Sequence, residues 1–308
     1  MQNSSPISVH DRLSPDSMDF CSLVALTRAR AGGPLKSVGF EFFDESSEDM
    51  SQLTFAMLDS RAMGLAASLQ QRIEPGDRVM LLFYPGLDYI AAFFACLYAG
   101  AVAVPTYPPR PRQSADRIRG IIEDAEPTVI LSTSELRHTL QQQVGVLPTK
   151  SLRHWLALDE MTFGAENWIE PPLSQDSVAY LQYTSGSTSA PKGVVLTHAN
   201  LLHNLGLIYS HFGHSPQSRG VIWLPPFHDM GLIGGILQPV YGGFPVTLMS
   251  PHSFIQRPLL WLDLISKKRG TTSGGPNFAY DLCARRATTE QLRDLDLSSW
   301  DVAFCGAE

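Results

Sequence analysis

The chain has 308 residues, of which 44% are hydrophobic and 17% are charged, and its 23 basic and 30 acidic residues give a formal net charge of −7. This composition predicts a globular protein with a buried core, and the acidic balance argues against nucleic acid as a partner. The four cysteines lie far apart without a C-x-x-C pair, which argues against a disulfide framework and favours a reduced, cytoplasmic protein.

The sequence predicts neither a signal peptide nor a transmembrane segment. Residues 1–20 are polar and acidic, without a basic start or an apolar centre, and we expect them to form a loose leader. The longest apolar run, from Ile90 to Val104, contains Gly100 and is shorter than the roughly 20 residues that a membrane span needs. A buried helix followed by a strand explains this run better.

From residue 20 onwards, segments with apolar residues at helical spacing alternate with short apolar runs typical of buried strands. The predicted strands cover residues 38–42, 78–84, 101–104, 128–131, 178–183, 194–196, 220–224, 245–249, 271–273 and 301–304. The predicted helices cover residues 20–30, 53–73, 88–98, 114–124, 134–143, 200–209, 232–240, 255–268 and 277–286. This alternation predicts an α/β fold with mostly parallel sheets flanked by helices. Residues 145–175 are irregular, so we place a boundary there between a first α/β subdomain, residues 21–170, and a second, residues 171–308.

The most informative stretch runs from Tyr183 to Gly193 and reads YTSGSTSAPKG. Its composition also occurs in ordinary solvated loops, but one of the chain's five lysines, Lys192, lies at its end. Backbone N–H groups in such a turn form a concave anion site, and hydroxyl and ammonium groups add donors for phosphate. The stretch is not a Walker A loop, because Lys192 precedes a glycine and an apolar run instead of opening a helix. We interpret it as a loop between two strands that binds nucleotide phosphates through Thr184, Ser185, Gly186, Ser187, Thr188, Lys192 and Gly193.

Two further segments follow predicted strands, at the sheet edge where open α/β folds bind ligands. The first, WLPPFHDMGLIGG, begins at Trp223 and places His228 and Asp229 at that edge. Asp229 is equally suited to cap the next helix, which would leave His228 as a surface residue. The second, TSGGPNFAY, begins at Thr272, and its glycines and proline are also typical of a plain turn, with Phe278 in the core. The histidines form no H-E-x-x-H pattern, and we predict no metal site.

The stretch from Thr184 to Gly193 resembles the phosphate-binding signature of the adenylate-forming ligases, Thr-Ser-Gly-Ser-Thr-Gly-x-Pro-Lys-Gly, with Ser189 in place of a glycine. The wording HDMGLIGG from His228 resembles the fatty acyl-AMP ligase branch of that family. The resemblance implies the fold of the family's large N-terminal domain, which has two subdomains. It also implies that His228 lies beside the acyl carboxylate and the α-phosphate, and that Lys192 and His228 are catalytic. The acyl substrate would contact Asp229, Met230, Gly231, Gly274, Gly275, Pro276, Asn277 and Phe278, and the adenine would lie along Gly306, Ala307 and Glu308.

The activity implied by the resemblance is the use of ATP and Mg²⁺ to convert a fatty acid to an acyl-adenylate with release of pyrophosphate. The acyl group would then pass to an acyl-carrier protein. A long-chain fatty acyl-CoA ligase, which uses coenzyme A as the acceptor, and a non-catalytic nucleotide- or acyl-binding module are the alternatives. The family's later motifs would lie beyond Glu308, so we expect this chain to be an N-terminal fragment that is inactive on its own.

Overall fold

The computed structural model describes residues 20–33, 37–45, 47–109, 115–144, 151–161, 164–184 and 191–306. The strands are β1 (Val38–Asp44), β2 (Asp49–Thr54), β3 (Arg78–Leu82), β4 (Val102–Thr106), β5 (Val129–Ser132), β6 (His154–Ala157), β7 (Val178–Tyr183), β8 (Gly193–Thr197), β9 (Gly220–Ile222), β10 (Val246–Met249), β11 (Thr272–Gly275) and β12 (Val302–Cys305). The α-helices are α1 (Leu23–Ala31), α2 (Phe55–Gln70), α3 (Leu87–Tyr98), α4 (Asp116–Ala125), α5 (Ser134–Val144), α6 (His198–His211), α7 (Gln238–Gly242), α8 (Pro251–Gln256), α9 (Leu259–Lys268), α10 (Asn277–Arg286) and α11 (Thr289–Arg293). A π-helical segment, Met230–Leu237, leads directly into α7. The predicted leader lies outside the described residues except for Phe20.

The strands form two six-stranded sheets. Sheet A has the order β12-β11-β9-β10-β1-β2, and sheet B has the order β6-β5-β3-β4-β7-β8. Among the described strands, β1 with β2 and β7 with β8 pair antiparallel, and the other neighbours pair parallel. Parallel neighbours need crossover connections, which the helices supply. The predicted α/β fold with mostly parallel sheets flanked by helices is therefore confirmed.

The division between the sheets does not follow the predicted boundary at residue 170. Strand β1, from the first predicted subdomain, pairs with β10 of the second, and Phe40 lies opposite Val246. Strand β7, from the second, pairs with β4 of the first, and Ala103 lies opposite Tyr180. The segment predicted to be irregular also contains β6, which extends sheet B beside β5. Apolar runs identify buried strands but not their neighbours, so the sequence did not show that the two halves exchange strands.

Helix α3 lies between the sheets and explains the long apolar run. It contacts β1 and β2 of sheet A and β3 and β4 of sheet B, and every residue from Tyr89 to Tyr98 is buried. A helix that is apolar on all sides is typical of such a position. Gly100 then turns the chain with a φ of +74°, and β4 follows, so the predicted helix and strand are confirmed. Among the described residues, no helix combines the length and apolarity needed to cross a membrane.

Candidate functional site

The predicted phosphate loop connects the two strands of a β-hairpin. Strands β7 and β8 are antiparallel, with Tyr183 directly opposite Gly193. Thr184 and Lys192, near the two ends of the loop, are both exposed to solvent. The remaining predicted phosphate ligands, Ser185, Gly186, Ser187 and Thr188, lie outside the described residues, as does Ser189. The strands on either side of the loop agree with the prediction, and the hairpin presents the described ends of the loop to solvent.

Helix α4 holds both ends of this loop. The hydroxyl of Tyr183 donates a hydrogen bond to Asp124 Oδ2 at 2.5 Å. Burial and the neighbouring Asp124 carboxylate raise the pKa of Tyr183, so the phenol stays protonated and remains the donor. On the other side, Pro191 packs so closely on Gly120 that a Cβ at residue 120 would lie 3.0 Å from Pro191 Cγ. Helix α4 therefore fixes the two residues at the base of the loop, Tyr183 and Pro191.

His228 and Asp229 follow β9 at the carboxyl end of sheet A, where the sequence predicts a site. His228 Nδ1 lies 2.6 Å from Asp229 Oδ1, and the two side chains are 52% and 60% exposed. The same carboxylate oxygen accepts a hydrogen bond from the backbone N–H of Met230 at 2.6 Å, which caps the π-helical segment. Asp229 thus caps the helix and also orients the imidazole of His228. A structural role of Asp229 as a helix cap is thus compatible with a ligand site at His228.

Three contacts hold the loop before His228 against β7 of sheet B, helix α3 and the residue that follows β4. Gln182, on β7, donates from Nε2 to the carbonyl oxygen of Phe227 at 3.1 Å. Tyr89 donates from its hydroxyl to the carbonyl oxygen of Pro226 at 2.9 Å. The ring of Tyr107 packs on the ring of Phe227, with centroids 4.7 Å apart. Because Gln182 is two residues before Thr184, these contacts hold the His228 segment beside the strand that leads into the phosphate loop.

Sequence reasoning did not identify Gln182 or Tyr89 as part of the site. Gln182 is only 7% exposed, and Tyr89 only 1%. The available signal was a glutamine within a run otherwise formed by apolar and aromatic residues, VAYLQY. A buried polar side chain needs a hydrogen-bond partner, but only the fold shows that the partners are carbonyl oxygens of the loop after β9.

A cavity of about 580 Å³ lies between α6, the π-helical segment and sheet A. Its volume is within the range of small-molecule sites. Of the predicted site residues, it brings together His228, Asp229, Met230 and Gly306. Its apolar lining includes Ile208, Phe212, Ile233, Phe244 and Phe304. A largely apolar cavity that begins at an exposed histidine can hold a molecule with a polar head and an apolar tail.

The predicted acyl-contacting residues 274–278 are not among the residues that line this cavity. Gly274 and Gly275 are buried at the end of β11, and Pro276 precedes α10, which begins at Asn277. Gly274 has close neighbours, because a Cβ there would lie 2.0 Å from the carbonyl oxygen of Phe304. Phe278 is 45% exposed, so it is not a core residue. Gly306 follows β12, and Ala307 and Glu308 lie outside the described residues.

The described residues offer little for direct metal coordination. Within the ranges given above, no group of three or more His, Cys, Asp or Glu side chains is placed to hold a metal ion.

The chain is similar to known proteins along most of its length. The family described as AMP-binding enzyme matches residues 37–308. The chain is 41% identical over 295 residues to the medium-chain-fatty-acid–[acyl-carrier-protein] ligase JamA of Moorena producens, an alignment that covers 94% of this chain and 50% of JamA. It is 36% identical over 300 residues to the long-chain-fatty-acid–AMP ligase FadD32 of Mycolicibacterium smegmatis, covering 94% of this chain and 48% of FadD32.

A solved structure shows the same similarity in three dimensions. The fatty acyl-adenylate ligase from L. pneumophila, crystallised with acyl adenylate and pyrophosphate, superposes with a TM-score of 0.86 at 42% identity. The superposition covers 93% of this chain and 50% of that protein. The chain thus spans about half the length of the relatives it matches.

Proposed function

Because the chain belongs to the AMP-binding enzyme family, we propose that it supplies the ATP- and fatty-acid-binding part of a fatty acyl-AMP ligase. In this reaction the carboxylate of a fatty acid attacks the α-phosphorus of ATP, an acyl-adenylate forms and pyrophosphate leaves. The acyl group then passes to an acyl-carrier protein. The hydrogen bond from Gln182 to Phe227 is the observation that carries the proposal. It connects the strand of an anion-binding loop to the histidine at the start of an apolar cavity.

In this proposal the phosphate loop holds the β- and γ-phosphates of ATP. Lys192 supplies a positive charge, and the other contacts come from the hydroxyls of Thr184, Ser185, Ser187 and Thr188 and from the backbone N–H groups of Gly186 and Gly193. His228, oriented by Asp229, lies beside the reacting carboxylate and the α-phosphate. Positioning and stabilisation of charge account for most of the rate enhancement in such a reaction.

The remaining predicted residues have supporting roles in the proposal. Met230, which lines the cavity, would contact the acyl group at the start of the π-helical segment, with Gly231 directly after it. Gly274, Gly275, Pro276, Asn277 and Phe278 lie outside the cavity lining, and their contact with the substrate remains a prediction from the family resemblance. Gly306, Ala307 and Glu308 lie along the adenine ring. A cytoplasmic location is also part of the proposal, supported by the four cysteines, which are all free thiols.

Magnesium would enter this site with the nucleotide. It would neutralise charge on the leaving pyrophosphate. Thr184 and Lys192 would position the phosphate oxygens that hold the ion, since the described residues contribute no acidic cluster of their own.

Pyrophosphate exchange with laurate, measured on the full-length protein, tests the proposal. We expect exchange that depends on laurate. If ATP binds but no exchange occurs, the enzyme proposal fails and a non-catalytic binding module becomes the better interpretation. The acceptor is tested by offering holo acyl-carrier protein and coenzyme A in separate reactions. Acylation of the carrier protein supports the proposal, whereas acylation of coenzyme A alone would identify a fatty acyl-CoA ligase.

A further inference from the structure

One of the three glycines in the π-helical segment opens onto free space. A Cβ at Gly231 would lie 2.0 Å from the carbonyl oxygen of Pro225, and a Cβ at Gly235 would lie 2.9 Å from Cγ2 of Ile222. Close packing therefore explains the glycines at these two positions. A Cβ at Gly234 would meet no atom of the described residues within 4 Å beyond its immediate helical neighbours. Packing does not explain the glycine at this position.

The free space at Gly234 belongs to the cavity. Gly234 lines the cavity, and so do Met230, four residues before it, and Gln238, four residues after it. Four residues make slightly more than one α-helical turn and slightly less than one π-helical turn, so these positions share one face of the segment. A side chain at residue 234 would therefore point towards the cavity. Because glycine has no side chain, the cavity is wider here than any other residue would allow.

The helical geometry places Gly234 part of the way along a bound acyl chain. The N–H of Leu232 donates to the carbonyl oxygen of His228 at 2.8 Å, so the helical turn already begins at His228. Gly234 is six residues further on, a distance along the axis of at most about 9 Å at the α-helical rise per residue. An extended alkyl chain with C–C bonds of about 1.5 Å advances about 1.3 Å per carbon, so a chain whose carboxylate lies at His228 reaches Gly234 at about its seventh carbon.

We propose that Gly234 determines the acyl chain length that this site accepts, and that unbranched acids with more than about seven carbons are the preferred substrate class. The inference rests on the proposed function, which places the acyl carboxylate at His228. Shorter acids end before residue 234 and do not need the space beside it. Longer acids gain affinity from each methylene that they bury beyond this point, about 4-fold per methylene. A side chain at residue 234 would therefore exclude long acids and tolerate short ones.

Pyrophosphate exchange by the full-length protein with hexanoate and with laurate tests the inference. We expect the wild type to have the higher kcat/KM for laurate. The ratio of kcat/KM for laurate to that for hexanoate should fall about 2- to 5-fold in Gly234→Ala and at least about 10-fold in Gly234→Leu, while hexanoate kinetics stay close to those of the wild type. Ser210→Leu adds a leucine at an exposed position of α6 outside the cavity lining and should keep the wild-type ratio.

The outcomes distinguish this inference from the proposed function. If Gly234→Leu keeps the wild-type ratio, or loses activity equally with both acids, Gly234 does not select chain length, while fatty-acid activation stands. If the wild-type protein activates neither acid, the proposed function fails and this inference fails with it. Alanine favours a helix more than glycine does, and Gly234→Ala adds one methyl group in free space. An unchanged ratio in Gly234→Ala would therefore overturn the inference even if Gly234→Leu does not fold.

Discussion

The lack of a side chain at Gly231 allows the start of the π-helical segment to pack against the backbone of Pro225 in the loop after β9. A Cβ at this position would lie 2.0 Å from the carbonyl oxygen of Pro225, which is backbone and has no freedom to rotate away. We therefore expect Gly231→Ala to destabilise the protein by about 1–3 kcal/mol, as overpacked sites do. Urea unfolding measures the change. Gly234→Ala is the matched control, because a Cβ there would meet no atom within 4 Å; equal effects of the two variants would contradict the steric explanation.

Lys192 is the charged residue of the phosphate loop, and its removal tests the assignment of that loop. We expect Lys192→Ala to raise the KM for ATP by roughly 10- to 100-fold, the effect of losing a charge-assisted hydrogen bond of about 1.5–3 kcal/mol. The measurement is pyrophosphate exchange by the full-length protein at saturating fatty acid. Lys267→Ala removes a surface lysine paired with Asp263 at 2.8 Å and should leave the kinetics unchanged. Normal ATP kinetics in Lys192→Ala would show that the loop has another role.

Among the elements, local patterns predicted helices well where the chain itself signals their ends. Helix α10 spans the predicted residues 277–286, and Pro276 precedes it. The predicted helix at residues 255–268 is instead two helices, α8 and α9, separated at Arg257 and Pro258. Proline lacks an N–H group and disfavours helical geometry in the residue before it, which explains the break.

Two features without a distinct apolar pattern were not predicted, the edge strand β2 and the π-helical geometry of residues 230–237. Strand β2 is polar, and only Leu53 among its residues is buried. It exists because it pairs antiparallel with β1 at the edge of sheet A. The helix predicted at residues 232–240 is π-helical as far as Leu237. Its apolar residues indicate burial, but they do not distinguish the wider helix from an α-helix.

The candidate site shows the same limit of sequence reasoning. The hairpin around the phosphate loop and the place of His228 after a strand could be predicted, because both depend on neighbouring residues. The position of residues 274–278 outside the cavity lining could not. A strand end indicates which edge of the sheet a residue reaches, but not which side of that edge faces the cavity.

The connection between β7 and the His228 loop depends on Gln182, and breaking it tests how the two parts of the site are coupled. Gln182→Leu removes the donor to the Phe227 carbonyl oxygen. We expect it to lower kcat/KM in pyrophosphate exchange by the full-length protein about 10-fold or more, since displacing a reacting group by about 1 Å can cost roughly 100-fold in rate. Gln175→Leu replaces a glutamine in the exposed segment before β7 and serves as the control. If Gln182→Leu only lowers stability and leaves the kinetics normal, the hydrogen bond has a purely structural role.

At the scale of the whole molecule, each sheet contains strands from both halves of the chain. The N-terminal elements therefore pack directly against the elements that form the site. Helix α1 packs against α2, α3 and α7. Arg30 at its end donates from Nε to the carbonyl oxygen of Val240 at 2.9 Å, in the helix that follows the π-helical segment. At its start, the N–H of Leu23 donates to His198 Nδ1 at 3.2 Å, at the beginning of α6. The elements on both sides of the cavity are thus connected to the N-terminal helix.

This packing makes the stability of the whole molecule depend on pH. Burial lowers the pKa of both His198 and His214 to about 4, below the value of about 6.5 in an unfolded chain. As the pH falls below 6.5, the unfolded chain takes up protons that the folded chain does not, so folding loses free energy. The stability is fully present above pH 6.5 and falls progressively as the pH decreases towards 4. Between pH 7 and pH 5 the loss amounts to about 1–2 kcal/mol for each histidine.

Urea unfolding of the wild-type chain and of His198→Asn, at pH 7 and pH 5, measures this effect. Asparagine retains an acceptor for the Leu23 N–H but does not titrate, so we expect the variant to lose about half of the histidine-dependent fall in the free energy of unfolding. His203→Asn, at an exposed position of the same helix, should behave like the wild type. If His198→Asn shows the full wild-type dependence on pH, His198 is not held neutral by burial. The link between α1 and α6 would then contribute nothing to acid sensitivity, and the fall in stability would have to come from other groups.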